Sequence, residues 1–277
     1  MMTTKTAKLA HLEALIADIG GTVVAYSGGV DSSFLMAVNH EVLGDRALAV
    51  TAASPSMARR QLRAARALAE QRGWRHLVVG THEVGREEYA RNDDDRCYWC
   101  KTELFDVLQP LAEERAAEVL VGTNLDDLGD HRPGLRAADE RTVRAPLVEA
   151  KLTKAEVRDL SVDLGLPTAD KPSSPCLSSR FAYGVRVTAR GLRRVDEAEE
   201  FVRSLGFEVF RVRDHGDLAR IEVERSEIER ASALASTLTD GLKALGYRYV
   251  TLDLEGFRSG SLNEGLLRIR MRSEDDV

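Results

Sequence analysis

Tyr26-Ser27-Gly28-Gly29-Val30-Asp31-Ser32-Ser33 joins two apolar runs, Thr22-Val23-Val24-Ala25 before it and Phe34-Leu35-Met36-Ala37-Val38 after it. The first run reads as a buried strand and the second as the start of a helix. A strand, a tight Ser/Gly turn and a helix N-terminus together make an anion site. Glycines let backbone N–H groups approach a ligand, and the helix dipole favours negative charge. The stretch lacks the lysine of the G-x-x-x-x-G-K-[ST] loop, so it is not the phosphate loop of kinases and GTPases.

Working outward, the first half of the chain alternates strands and helices. Ala47–Thr51 reads as a strand that runs into Ser54-Pro55, Ala58–Gln71 as a helix stopped by Gly73, and His76–Val79 as a strand. Lys101–Ala117 reads as a helix and Glu118–Gly122 as a strand ending in a Gly-Thr-Asn turn. Strands separated by helices of this length predict an α/β fold with a parallel sheet built from right-handed crossovers, helices covering both faces. Ligands in such sheets sit at the carboxyl ends of the strands, so Ser27, Ser54 and Gly122-Thr123-Asn124 are expected to converge on one crevice.

Residues 166 to 188 break this rhythm, with Pro167, Pro172, Pro175 and Gly184 excluding regular interior structure. Beyond them the order becomes helix (about 191–205), two strands (about 208–213 and 219–224), helix (about 226–244) and strand (about 247–254). Asp214-His215-Gly216-Asp217 reads as a hairpin-type turn. The expected organisation is a first domain over 1–185 and a smaller α+β domain over 186–277, for substrate or oligomer contacts.

Composition sets milder bounds. With 43% hydrophobic and 30% charged residues among 277, the chain has the make-up of a water-soluble globular protein with a real core. A net charge of -6 and 5% aromatic residues argue against a nucleic-acid partner, since no basic stripe with interleaved aromatics is evident. No apolar run reaches membrane-spanning or signal-peptide length. Three cysteines are too few for a disulfide framework and odd in number, which favours a reducing cytoplasm.

The cysteines carry the second strong signal. Cys97 and Cys100 stand in Arg96-Cys-Tyr-Trp-Cys-Lys101, just ahead of the expected helix, and Cys176 in Pro175-Cys-Leu-Ser-Ser-Arg180. A lone C-x-x-C is a redox pair, half of a zinc site or two unrelated thiols. No fourth ligand for a structural zinc is evident, whereas three thiolates suit a [4Fe–4S] cluster with one iron open. Cys176 is either a small buried side chain or, given the adjacent Arg180, a stabilised thiolate.

The Ser27–Ser33 loop resembles the SGGxDS loop of the PP-loop ATP pyrophosphatases (adenine nucleotide alpha hydrolase-like fold), which cleave ATP between its α- and β-phosphates and adenylate an acceptor. The likeness extends almost end to end. SGGVDSS at 27–33, RCYWCK at 96–101, GTNLDD at 122–127, HRPGL at 131–135, APLVEAKLTKAEVR at 145–158, GLPTADKPSSPCLSSR at 165–180, RVRDHGDLARIEV at 211–223 and LEGFRSGSLNE at 254–264 together resemble the LarE family of ATP-dependent sulfur transferases. The resemblance implies adenylation of a carboxylate of pyridinium-3,5-biscarboxylic acid mononucleotide, conversion to a thiocarboxylate, and a place in nickel-pincer cofactor biosynthesis, which matures lactate racemase. Family members with one cysteine give up its sulfur and keep dehydroalanine; those with a C-x-x-C pair as well resemble cluster enzymes. Cys97, Cys100 and Cys176 place this chain with the second group. The resemblance also implies that Arg211 and Arg213 hold the substrate phosphate, that Glu200 (or its neighbour Glu199) and Glu222 gather a metal, and that the protein assembles as a trimer or a hexamer of trimers.

Residue types suggest the remaining roles. Gly28, Gly29 and the amides of Val30, Asp31, Ser32 and Ser33 would cradle the phosphates of ATP, with the hydroxyls of Ser27 and Ser32 donating to them. Asp31 is the natural Mg²⁺ partner. Ser54 and Gly122, Thr123 and Asn124 are adenosine contacts or plain turn residues, and Asp127 is a second metal ligand or a helix cap. Arg180 can hold a phosphate or carboxylate bidentately. Arg211 and Arg213 share one strand face, where a solvated basic surface is the bland alternative. Arg258-Ser259-Gly260-Ser261 is a substrate-closing loop or a subunit contact, and His131 and His215 are bases or surface residues. Two rival functions remain open: a PP-loop tRNA thiolase, and a non-catalytic iron–sulfur or metal-binding module.

Overall fold

The computed structural model describes residues 4–129, 133–172 and 174–258. His131 and Ser259–Ser261 lie outside them. The chain divides into two compact units: the first comprises Met1–Glu83 and Asp95–Ser174, the second Val84–Asp94 and Pro175–Val277.

In chain order the elements of the first unit are α1 (Thr4–Ile19), β1 (Thr22–Ala25), α2 (Val30–Leu43), β2 (Ala47–Ala53), α3 (Arg59–Gln71) and β3 (Arg75–Gly80). After α4 (Glu87–Ala90), which belongs to the second unit, follow α5 (Arg96–Glu113), β4 (Glu118–Leu120), α6 (Pro133–Asp139), α7 (Pro146–Glu149) and α8 (Lys154–Asp163). The four strands form one parallel sheet in the order β3-β2-β1-β4, with Val23 level with Leu48 on one side and with Val119 on the other. Strands are added on one side of β1 and then on the other, so β1 and β4 flank the switch point where α/β sheets bind ligands.

Alternation along each strand feeds two cores. Val24, Ala47, Ala49 and Leu120 pack with Phe34, Leu35, Leu68 and Leu160 on one face; Val23, Leu48, Val50 and Val119 pack with Phe105, Leu108 and Ala112 on the other. Both faces are therefore covered by helices, as the α/β pattern requires. Most strand and helix ends move by one or two residues, and two helices depart further from the expected pattern. Helix α5 begins at Arg96 and takes both cysteines of the C-x-x-C pair into its first turns: Tyr98 N–H donates to Asp95 O at 2.8 Å and Trp99 Nε1 to Asp95 Oδ2 at 2.8 Å. It ends at Glu113, followed by Ala116 with φ +47°. Helix α1, which the patterning above did not single out, buries Leu12 and Ile16 completely and ties Lys8 to Glu156 of α8 at 2.7 Å.

The second unit continues with a 3₁₀ turn at Leu177–Arg180, α9 (Ala189–Ser204), β5 (Phe210–His215), β6 (Leu218–Val223), α10 (Ile228–Ala233), α11 (Ala235–Ala244) and β7 (Tyr249–Leu252). Its sheet runs β5-β6-β7, β5 antiparallel and β7 parallel to β6. The expected hairpin is a two-residue connection in which Gly216 adopts φ +75°, a conformation glycine takes at little cost. The single helix expected near 226–244 is instead two helices meeting at Leu234. Val202, Phe207, Phe210, Val212, Ile221 and Leu242 form the core. The Val84–Asp94 segment is sewn into this unit by Asn92, whose Nδ2 donates to Ala182 O at 2.7 Å and Val185 O at 3.0 Å. Among the described residues no helix is long and apolar enough to cross a membrane.

One buried contact makes stability pH-dependent. Thr51 Oγ1 donates its single proton to Tyr26 O at 2.7 Å, so His76 Nε2, 2.8 Å from the same oxygen, is assigned as the protonated nitrogen donating to it. Burial, with Arg66 adding to it, lowers the pKa of His76. The unfolded chain therefore takes up a proton first, and stability present above about pH 6.5 is lost as the pH falls through that value toward the folded pKa. Urea midpoints measured from pH 8 to 5 are expected to decline more steeply below pH 6.5 in the wild type than in His76→Gln; equal slopes would remove His76 as the cause.

Candidate active site

The loop after β1 is a nest of backbone donors. Gly28 sits at φ +69°, and a Cβ there would lie 2.8 Å from Ala65 Cβ, so only glycine fits both the conformation and the space. Ser27 Oγ accepts from Gly29 N at 3.3 Å and lies 3.1 Å from Ser32 Oγ, which also accepts from Ser27 N at 3.2 Å. Gly29 caps α2 without any side-chain hydrogen bond, and the first helical bond runs from Ser33 N to Gly29 O at 3.0 Å. The preceding amides, Val30 to Ser32, therefore have no capping side chain and present the positive end of a 14-residue helix. Tyr26 anchors the entry to the loop by donating to Ala65 O at 3.2 Å, and burial pushes its phenol up to about 12.

The end of β4 closes against this helix start. A Cβ on Gly122 would lie 2.9 Å from Ser32 N and 3.0 Å from Asp31 C. Two residues on, Asn124 is 1% exposed and its Nδ2 donates to Asp31 Oδ1 at 3.2 Å. Asp127 Oδ2 accepts from Asn124 N at 3.0 Å, so its carboxylate caps the turn that presents Asn124. Thr123 stands between them, half-buried. The second oxygen of Asp31 holds Lys154 Nζ at 2.5 Å. Lys154 is the first residue of α8, whose start is fixed by a capping box between Thr153 and Glu156 and by Lys154 N donating to Asp126 Oδ2 at 2.6 Å. A second lysine, Lys171, donates to Gly28 O at 2.7 Å; burial, aided by Arg60, lowers its pKa.

Neither lysine was singled out from sequence. Both lie in the quoted segments 145–158 and 165–180, and Lys154 follows the capping Thr153 by one residue, which was the available signal. Glu83 was missed as well. It is 2% exposed and receives the hydroxyls of Ser54 and, at 2.8 Å, Ser56, so Ser54 is held by a buried carboxylate at the end of β2.

None of the three cysteines is in a disulfide. Cys97 is exposed and Cys100 half-buried, three residues apart on one face of α5 in the first unit; Cys176 is half-buried in the second unit. Among the described residues no three His, Cys, Asp or Glu side chains gather as a metal cage.

In the second unit Arg180 and Arg213 are paired with buried carboxylates rather than solvated. Arg180 lies bidentate on Glu199, Nε to Oε1 at 2.8 Å and Nη2 to Oε2 at 2.9 Å. Arg213 lies bidentate on Glu222 at 3.0 and 2.8 Å, and Arg220 Nη2 adds a third contact to Glu222 at 2.9 Å. Glu199 is 7% exposed, whereas Glu200 is half-buried with Arg203 3.9 Å away. Arg211 differs from its neighbours: it donates to Phe210 O at 2.6 Å and stacks on Phe257, with no carboxylate in ion-pair contact among the described residues. Burial, with Arg180 second, pushes its guanidinium down to about 10. His215 lies exposed at the hairpin.

The Gly122 approach is directly testable. Gly122→Ala forces the first turn of α2 to shift, so nucleotide binding by calorimetry is expected to weaken about tenfold or more, with a stability loss of about 1–3 kcal/mol. Unchanged affinity in a folded variant would show that the loop tolerates the displacement.

No protein-family model matches the chain. A protein of Synechocystis sp. described only as uncharacterised is 44% identical over 264 residues, 94% of this chain and 98% of that protein. The pyridinium-3,5-bisthiocarboxylic acid mononucleotide synthase of Lactiplantibacillus plantarum is 37% identical over 272 residues, 98% of this chain and 99% of the synthase. The tRNA-specific 2-thiouridylase MnmA of Azorhizobium caulinodans is 32% identical over 190 residues, 55% of this chain and 49% of the thiouridylase. With the nest at α2, the parallel sheet and a match along nearly the whole of the synthase, this chain belongs to the LarE family of sulfur transferases within the PP-loop ATP pyrophosphatase superfamily.

Proposed function

We propose that this protein uses ATP to adenylate a carboxylate of pyridinium-3,5-biscarboxylic acid mononucleotide and then replaces AMP with sulfur, giving a thiocarboxylate in nickel-pincer cofactor biosynthesis. The observation that carries the reading is the uncapped start of α2 with Asp31 on its first turn, in a chain matched end to end by a bisthiocarboxylic acid mononucleotide synthase. A carboxylate oxygen of the substrate attacks the α-phosphorus and pyrophosphate leaves; a sulfur nucleophile then attacks the acyl carbon and AMP leaves.

The chain's own residues supply binding and charge. Gly28, Gly29 and the amides of Val30, Asp31, Ser32 and Ser33 receive the phosphates, with Ser27 and Ser32 hydroxyls beside them. The fit of Asp31 to Mg²⁺ rests on the carboxylate already holding a cation, the ammonium of Lys154. When bound, the metal neutralises phosphate charge, and Asp31 is its carboxylate ligand. Ser54, Gly122, Thr123 and Asn124 line the adenosine side, with Asp127 fixing the turn. In the second unit Arg211 and Arg213 are assigned to the mononucleotide phosphate, and Glu200 with Glu222 to a further metal.

Cys176 is the sulfur-bearing residue. Cys97 and Cys100 share a helix face near the N-terminus of α5, and neither is in a disulfide. With Cys176 they would be the three thiolate donors of a [4Fe–4S] cluster, which would supply sulfide sulfur for the transfer; without it Cys176 would give its own sulfur. We further propose that the protein works in the cytoplasm as a trimer or hexamer.

A tRNA thiolase is the second reading, favoured by the match to MnmA, which covers 49% of that protein. ATP–pyrophosphate exchange dependent on the mononucleotide tests the first reading. Exchange is expected in the wild type and is expected to fall by about 100-fold in Asp31→Asn, which removes the proposed metal ligand. No exchange with the mononucleotide, together with tight salt-sensitive binding of bulk tRNA, would turn the assignment to the thiolase. Mass spectrometry after turnover then separates the sulfur sources: loss of one sulfur at Cys176 means sacrifice, an unchanged chain means a cluster.

A further inference from the structure

The segment that carries Cys176 is held by side chains that are themselves buried. Arg180, 4% exposed, sends Nη1 to Pro175 O at 3.0 Å, to Cys176 O at 3.3 Å and to Ser179 Oγ at 2.8 Å, while Nε and Nη2 lie on Glu199. All three guanidinium nitrogens are thus engaged with acceptors of the protein. Glu199 is anchored in turn, its Oε1 accepting from Val212 N of β5 at 3.2 Å. From the other end of the segment, Arg213 Nη1 donates to Ser179 O at 2.7 Å while its fork rests on Glu222. Ser179 Oγ donates to Cys176 O at 2.8 Å, and Ser178 Oγ lies 2.5 Å from Tyr89 Oη.

A buried Arg–Glu pair adds little net stability over apolar side chains, because desolvation offsets the attraction. What a bidentate pair supplies is direction. We propose that Arg180 and Glu199 are positioning residues for sulfur transfer: their ion pair sets the conformation of the Pro175–Arg180 segment, and so the direction of Cys176, and does not hold substrate. Anion binding in this unit then stays with Arg211 and Arg213, of which Arg211 makes no ion pair with a carboxylate among the described residues. The inference rests on Cys176 being the sulfur-bearing residue.

Arg180→Lys keeps the charge and loses the fork, and Glu199→Gln keeps the shape and loses the charge. Two measurements on the full chain decide the matter. The rate of iodoacetamide alkylation at Cys176, resolved from Cys97 and Cys100 by peptide mass mapping, is expected to change about tenfold in both variants while Cys97 keeps its wild-type rate. In turnover, kcat is expected to fall about 100-fold while KM for the mononucleotide stays within about twofold, the pattern of a misdirected reacting group. Addition of guanidinium ion to Arg180→Ala is expected to restore much of the wild-type alkylation rate. A rise in KM with Cys176 alkylation unchanged would overturn the proposal and make Arg180 a substrate ligand. A fall in melting temperature with alkylation at Cys97 and Cys176 rising together would also overturn it, as a general loss of structure. Should the wild type fail to transfer sulfur at all, the functional reading falls, while alkylation still decides whether the pair directs Cys176.

Discussion

The phosphate loop depends on an approach of backbone to backbone: the α-carbon of Gly122, just past β4, lies against Asp31 and Ser32 at the start of α2. Any side chain at that point would collide with main-chain atoms, which cannot rotate away as a flexible side chain can. The approach follows from sheet order. Because β4 pairs with β1 on the side away from β2, its end arrives beside the loop that leaves β1. Asn124 can then reach Asp31 from a position 93 residues away in sequence. Gly28, wedged against Ala65 of α3, is the counterpart on the other side. Two glycines thus allow three elements to crowd one helix N-terminus, whose amides keep their donors for a ligand because Gly29 has no side chain to cap them.

Much of the first unit was legible in the sequence because its signals are local. Thr22–Ala25 is a strand with the expected ends, and the helix expected over Ala58–Gln71 starts one residue later. Segments whose stabilisation comes from far away were harder to read. Helix α1 has no acidic residue in its first turn to announce it, and its order comes from burying Leu12 and Ile16 and from Lys8 meeting Glu156, 148 residues on. Lys154 and Glu83 were invisible as site residues for the same reason: each acts through a partner more than 25 residues distant, Asp31 for one and Ser54 and Ser56 for the other.

In the second unit the alternation Arg211-Val212-Arg213 correctly indicates a strand but not which arginine is buried. Arg213 is 6% exposed because Glu222 on the neighbouring strand takes its fork, while Arg211 is left to a carbonyl and an aromatic ring. A basic pattern on a strand therefore conceals two different physical situations. One guanidinium is neutralised in place, and the other is partly desolvated beside Arg180 and Arg213, which raises the value of any anion brought to it. Likewise Glu199 and Glu200 are indistinguishable by type, and helix geometry alone turns the first inward.

The Val84–Asp94 segment has a consequence for how the chain is made. It lies between two stretches of the first unit yet completes the second, where Asn92 bonds to Ala182 and Val185 and Val187 N to Ala90 O. A ribosome releases this segment about eighty residues before its partners, roughly 4–16 s at ordinary elongation rates. Through that interval Tyr89, 1% exposed in the finished fold, has no Ser178 to meet. The first unit can close its sheet while holding out a loop it does not use, and the segment around Cys176 acquires its final form only when translation has delivered the rest of the second unit.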